Sequence, residues 1–172
     1  MGATIEGLDG GKANVSDDRL HVVNETAFER AVREGNAYAW SWSYDAAALN
    51  TALAVKNDST TKTLVIEKVV VSSDAAGEWQ LHSCNVCTTG TGITGTNLNR
   101  SSNNVAPASA YENETGNTLA SGKLFIEFAV EADKTVVFDN LGIRLGYGQS
   151  IGLDTIAASS TLTDGAIIGY FE

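Results

Sequence analysis

Residues 37–45 read AYAWSWSYD, in which Tyr38, Trp40, Trp42 and Tyr44 alternate without a break with Ala37, Ala39, Ser41 and Ser43. A period of two sets the four rings on one side of an extended strand and the small residues on the other. The same period recurs along the chain. EWQLHSC places Trp79, Leu81 and Ser83 on one side, and KLFIEFAVE places Leu124, Ile126, Phe128 and Val130 opposite Glu127 and Glu131. LNTALAVKND alternates at Leu53 and Val55, TKTLVIEKVVV is an almost continuous β-branched run, and KTVVFDN, SIGLDTIA and GAIIGYFE complete the set. Seventeen glycines against one proline supply the turns between them. Breaks spaced roughly every 8 to 12 residues are the signature of an all-β sandwich or barrel.

At 172 residues the chain has the size of one ordinary domain. Eight or so strands in such a domain suit a jelly-roll-like antiparallel β-sandwich over residues 25–172. Residues 1–24, with Gly2, Gly7, Gly10 and Gly11, are expected to form an extended N-terminal arm. Within it VSDDRLHVV reads as a small hairpin turning at Asp17 and Asp18, or as an arm anchored by Val15, Leu20 and Val22. One segment departs from the period. In NETAFERAVREGN, Thr26 and Glu29 have capping-box spacing, Phe28, Ala31 and Val32 have helical spacing, and Gly35 is a natural stop, so one short helix is expected. The stretch from about 88 to 117, rich in Thr, Asn, Ser and Gly, is expected to be a long surface excursion and a place for partner contacts.

Charge and hydropathy exclude several function classes. A formal net charge of −10 repels a phosphate backbone, so no direct nucleic-acid partner is expected. The longest apolar runs, LVI and VVV, fall far short of the roughly 20 residues of a membrane helix, and no membrane partner is expected. MGATIEGLDGGKANV lacks the basic start and apolar stretch of a secretory signal, and Glu6 stands where a myristoylation motif wants Ser or Thr. The five Asn-x-Ser/Thr sequons, at Asn14, Asn24, Asn57, Asn99 and Asn113, carry little weight without such a signal.

Three short motifs fail in their context. GQSIG around Ser150 matches the nucleophile elbow, but a strand-like IGLDTIA follows it and no histidine lies beyond His82. GTGITG at 90–95 matches a dinucleotide fingerprint without the helix that must follow it. HSCNVC brings His82, Cys84 and Cys87 together, yet a structural zinc site needs four ligands and only His21 remains to add. No catalytic residues, no metal and no cofactor are therefore expected. The aromatic row has three readings: the inner face of a strand, a subunit interface, or a platform on which sugar rings stack. On the last two readings Trp40, Trp42 and Trp79 are the ligand or interface aromatics.

The N-terminal GLDGGKANVSDDRLHVVNE, the strand TKTLVIEKVVV and the C-terminal LGYGQSIGLDTIAASSTLTDGAIIGYFE resemble virion structural proteins of tailed phages, in particular head decoration or cement proteins with a jelly-roll body. The resemblance spans most of the chain and lies in its texture: a glycine-rich arm, a β-branched strand and a final pair of strands ending in an aromatic residue. It implies a non-enzymatic homotrimer on the outer surface of the phage head that binds the major capsid protein and stabilises the shell. It further implies that Leu8, Val15, Leu20 and Val22 of the arm dock to that shell, while Val136, Phe138, Ile151 and Leu153 belong to the sandwich. The competing expectation is a carbohydrate- or receptor-binding sandwich of a virion tail or spike that uses the three tryptophans.

Overall fold

The computed structural model describes residues 3–6, 12–16, 19–22, 25–44, 51–84, 89–114, 123–156 and 162–172, with side chains from residue 25 onward apart from that of Tyr44. The chain opens with β1 (Ala3–Glu6), β2 (Lys12–Ser16) and β3 (Arg19–Val22), which pair antiparallel in that order as a sheet of their own. The expected hairpin is the β2–β3 pair, in which Ser16 faces Arg19 and only Asp17 and Asp18 lie between the strands. Helix α1 (Ala27–Glu34) follows. Thr26 caps it, its hydroxyl accepting from the Glu29 amide at 3.1 Å while the Glu29 carboxylate accepts from the Thr26 amide at 2.8 Å. Gly35 ends the helix at φ 73°, a left-handed conformation that glycine adopts without strain. Replacing Thr26 with alanine removes this box, and a loss of about 1 kcal/mol in urea denaturation is expected.

The remaining strands are β4 (Ala37–Tyr44), β5 (Thr51–Asn57), β6 (Leu64–Ser73), β7 (Gly77–Cys84), β8 (Thr91–Ile93), β9 (Thr96–Asn97), β10 (Ala108–Glu114), β11 (Leu124–Val130), β12 (Lys134–Phe138), β13 (Ile143–Leu145), β14 (Ser150–Thr155) and β15 (Thr163–Phe171). They build two antiparallel sheets. The front sheet runs β12-β6-β15-β4-β9, with β13 also on β6, and the back sheet runs β11-β7-β14-β5-β10-β8. Taking β4, β5, β6, β7, β11, β12, β14 and β15 as strands 1 to 8 gives the orders 1-8-3-6 in front and 2-7-4-5 behind. This is the double Greek key of a jelly roll, so the expected all-β sandwich is the fold.

The core lies between the two sheets. Trp40, Trp42, Val69, Val71 and Ile167 come from the front, and Leu53, Val55, Trp79, Leu81, Ile151 and Leu153 from the back. Val136 and Phe138 pack against this cluster at its margin. A second, smaller cluster lies on the outside of the front sheet, where Phe28, Ala31 and Val32 of α1 cover Ala37, Val65 and Tyr170.

The segment from 88 to 117 differs from expectation, since it holds three strands. β10 pairs with β5 in the back sheet and β9 with β4 in the front. Between them Leu98 packs under the helix, and the Asn97 and Asn104 side-chain amides donate to the Gly35 carbonyl at 2.9 and 3.2 Å. Within the GTGITG stretch, a Cβ on Gly95 would lie 2.6 Å from Trp40 Nε1, so a glycine is needed for the backbone to close over the indole. No phosphate-binding turn is required to explain the motif.

Candidate functional site

Of the residues that the resemblance implies for shell docking, Val15, Leu20 and Val22 lie in the N-terminal sheet. Ala3 pairs with Val15, Ile5 with Ala13, Val15 with Leu20 and Ala13 with Val22. Because faces alternate along a strand, this register places Ala3, Ile5, Ala13, Val15, Leu20 and Val22 on one face of the sheet. Thr4, Glu6, Lys12, Asn14, Ser16, Arg19 and His21 occupy the other, since Thr4 pairs with Asn14, Glu6 with Lys12, Asn14 with His21 and Ser16 with Arg19. Val15, Leu20 and Val22, three of the four residues that the resemblance implies for docking, thus share a face that holds no charged or polar residue. Leu8 lies outside the described residues. None of the three strands joins either sandwich sheet.

The tryptophans are corrected from candidate ligand or interface residues to core residues. Trp40, Trp42 and Trp79 are 0%, 3% and 1% exposed, which leaves no ring face open to a sugar or to another subunit. Trp42 and Trp79 meet across the sandwich with ring centroids 6.5 Å apart, and Trp42 Nε1 donates to the buried Thr163 hydroxyl at 3.2 Å. Tyr38 packs edge-on against Phe171 at 6.0 Å. Of the three readings of the aromatic row, the inner face of a strand is the one the coordinates show. The small residues beside each ring are the price-free consequence of a period of two: they turn outward.

The other side of the back sheet carries a buried pair that the sequence reading missed. His82 on β7 and Asp154 on β14 are 1% and 0% exposed, with Nε2 and Oδ2 2.7 Å apart. The separation is that of an ion pair, but the angle lies outside hydrogen-bond geometry, so the attraction counts as electrostatic. His82 Nδ1 lies 2.8 Å from the Ser83 carbonyl, which can only accept, so this nitrogen carries a proton. With a carboxylate facing the other nitrogen, the imidazolium is the form that satisfies both. Burial pulls the His82 pKa down, but the Asp154 carboxylate and the Ser83 carbonyl outweigh it, and the net position is above the ordinary histidine value.

Around this pair the motif readings resolve. Cys84 is buried two residues along β7, and Cys87 lies outside the described residues. No group of three or more His, Cys, Asp or Glu side chains suited to a metal occurs among the described residues. Ser150 begins strand β14, and its hydroxyl donates to the Cys84 carbonyl at 2.7 Å, where a nucleophile elbow would present it to solvent. Glu114, also buried, accepts from the Thr89 and Gly90 amides at 2.9 and 3.1 Å, which fixes the start of the β8 region to the end of β10.

The outer face of the front sheet is built from paired positions on four neighbouring strands. Ser41, Ala166, Val70 and Val137 stand side by side across β4, β15, β6 and β12. Flanking this row on one side are Ser43, Asp164, Ser72 and Thr135, and on the other Ala39, Ile168 and Lys68. The Ser72 and Thr135 hydroxyls are 2.6 Å apart, and Lys68 Nζ lies 2.6 Å from Asp139. Among the described residues, helix α1 covers the end of this face at Ala37, Val65 and Tyr170. Ser41, Ser43, Thr135 and Val137 are exposed, Val137 at 48%.

No protein-family model matches the chain, and no curated protein or solved structure matches it.

Proposed function

We propose that this is a non-enzymatic virion structural protein, a decoration or cement protein that binds the major capsid protein on the outer surface of a tailed-phage head and stabilises the shell. The observation that carries the reading is the register of the N-terminal sheet, which gathers Val15, Leu20 and Val22 with Ala3, Ile5 and Ala13 on one apolar face. A sheet of three short strands depends on its hydrophobic face for stability, and covering that face removes apolar surface from water. Burying a Val, Leu or Ile side chain is worth about 1.5 to 3 kcal/mol, so a shell that covers this face gains a contact of useful strength. Repetition over a shell multiplies weak contacts without new chemistry. The net charge of −10 keeps decorated particles apart. The glycan-binding alternative has lost the three rings on which it depended.

The test is co-sedimentation with assembled empty heads. Deleting residues 1–24 is expected to abolish binding, and the pair Val15→Asp, Leu20→Asp to weaken it at least tenfold while the melting of the sandwich is unchanged. Undiminished binding by both variants would refute the role of the N-terminal sheet, and a wild-type protein that binds no heads would refute the reading itself.

A further inference from the structure

We propose that strand β11 is a self-association edge, along which two copies of the chain pair antiparallel about a two-fold axis at Phe128 and join their back sheets into one. An edge strand presents unpaired backbone donors and acceptors, and proteins blunt such edges by keeping them short or placing lysine on them. The sandwich does so at its other edges. β8 and β9 are three and two residues long, and β12 opens on Lys134. β11 differs: it ends the back sheet, pairs among the described residues with β7 alone, and runs for seven residues, LFIEFAV, in which Glu127 is the one charge. Leu124 and Phe125 on it are 53% and 45% exposed.

The pattern of free groups selects the occupant and its register. In β7 the Glu78 carbonyl accepts from Ile156 on the β14 side, and the Ser83 amide donates to Lys123 on the β11 side. Alternation along β7 therefore turns Trp79 and Leu81 toward β11, where they bond to Phe128 and Ile126. The amides and carbonyls of Glu127 and Ala129 are left pointing to the open edge. A bulge at Phe125 ends the regular strand at Ile126, so the stretch open to pairing, Ile126–Val130, has Phe128 at its middle. An antiparallel edge is its own complement, and a copy centred there sets Glu127 opposite Ala129 of the other, one hydrogen-bonded pair on each side of the axis. Phe128 then meets Phe128 of the second copy, an aromatic cross-strand pair beside the Phe138 ring that lies edge-on to it at 4.8 Å. The charges agree with this register. Glu127 faces an alanine, and its carboxylate accepts from the Gln80 amide at 2.6 Å, away from the axis. Glu78, beside Ala129 on β7, stands two strand spacings, about 10 Å, from Glu127 of the second copy, at the screening length of 0.1 M salt. Lys123 and Glu131, which flank the strand and make no ion pair among the described residues, come together across the two copies, once at each end.

The paired stretch is short beside the roughly 20 to 30 residues a side of a standard interface, so the association is weak and is expected within about 5 to 500 µM. It concerns the isolated chain and does not depend on a place on a shell. Sedimentation velocity of the full chain over that range is expected to show passage from monomer to dimer. Ala129→Pro removes an edge donor where an edge strand tolerates proline, and Ala129→Glu sets a carboxylate opposite Glu127 of the second copy; each is expected to raise the dissociation constant at least tenfold with little change in thermal melting. Ala129→Lys meets the same glutamate with the opposite charge and is expected to dimerise at least as tightly as the wild type, while Thr60→Glu, exposed on the loop after β5, leaves the constant unchanged. Hydrogen exchange reads the edge directly: between 5 and 500 µM, as about the ends of the range, the Glu127 and Ala129 amides are expected to slow severalfold, and those of Ile126 and Phe128, already bonded to β7, to stay as they are. If Ala129→Pro lowers the melting temperature, Ala129→Glu decides. A wild type that stays monomeric at about 500 µM overturns the proposal, as do a closed trimer, dimerisation that Ala129→Glu leaves untouched, and edge amides whose exchange does not slow. Loss of head binding alone in Ala129→Glu, without self-association of the wild type, also overturns it and gives the edge to the shell.

Discussion

His82→Ala is expected to lower the unfolding free energy by about 3 to 5 kcal/mol, because it leaves the Asp154 carboxylate buried without its counter-charge. Asp154 is fully enclosed and has no donor in line with either oxygen among the described residues, so the lost attraction has no substitute there. Removing both charges together, as His82→Leu with Asp154→Leu, is expected to cost far less than the sum of the single changes, since no charge is then stranded. The pair also sets a pH dependence. His82 has a higher pKa folded than unfolded, with burial opposing the rise and the Asp154 carboxylate and Ser83 carbonyl producing it. The folded protein therefore holds the proton more tightly. Its contribution is complete below the unfolded value of about 6.5 and disappears as pH climbs through the folded value. Urea denaturation from pH 6 upward should show a decline in stability that His82→Gln removes. An equal decline in the variant would show that the proton belongs to another group.

Trp42→Ala is expected to cost about 3 to 5 kcal/mol, the range for truncating a large buried aromatic. Its ring is 3% exposed, lies obliquely against Trp79 and donates through Nε1 to the Thr163 hydroxyl. The cavity would open midway between the sheets, where neither sheet can close without disturbing the other's ladder. The measurement is a thermal or urea transition read by near-ultraviolet circular dichroism. A loss below 1 kcal/mol would mean that this ring is not part of a packed core, and would return the row to the surface reading.

How far the sequence carried the argument differs from one element to the next. The strand at 37–44, the runs at 64–73 and 124–130, and the helix with its Thr26, Glu29 and Gly35 signals were all readable, because each rests on interactions within a few residues or on a strict period of two. The strand at 108–114, ASAYENE, was not, since its polar side chains give no alternation and its place is set by pairing with Thr51–Asn57. Glu114 looked like a loop carboxylate and is buried, held by amides that reach it from Thr89 and Gly90. His82 was examined as a metal ligand, whereas its partner is Asp154, 72 positions away; a lone aspartate inside the apolar run SIGLDTIA was the one available signal.

The sequence by itself determined that the chain makes sheets, where its one described helix begins and stops, and which side of the aromatic strand would be apolar. It could not determine which faces meet. The tertiary structure decided that the rings turn toward the opposite sheet, that Val15, Leu20 and Val22 share a face, and that Asp164 and Lys68 flank an uncharged row. The reason is physical: periodicity fixes the two sides of a strand through local backbone geometry, while strand order and register come from contacts between residues far apart in the chain, whose energies no local pattern records.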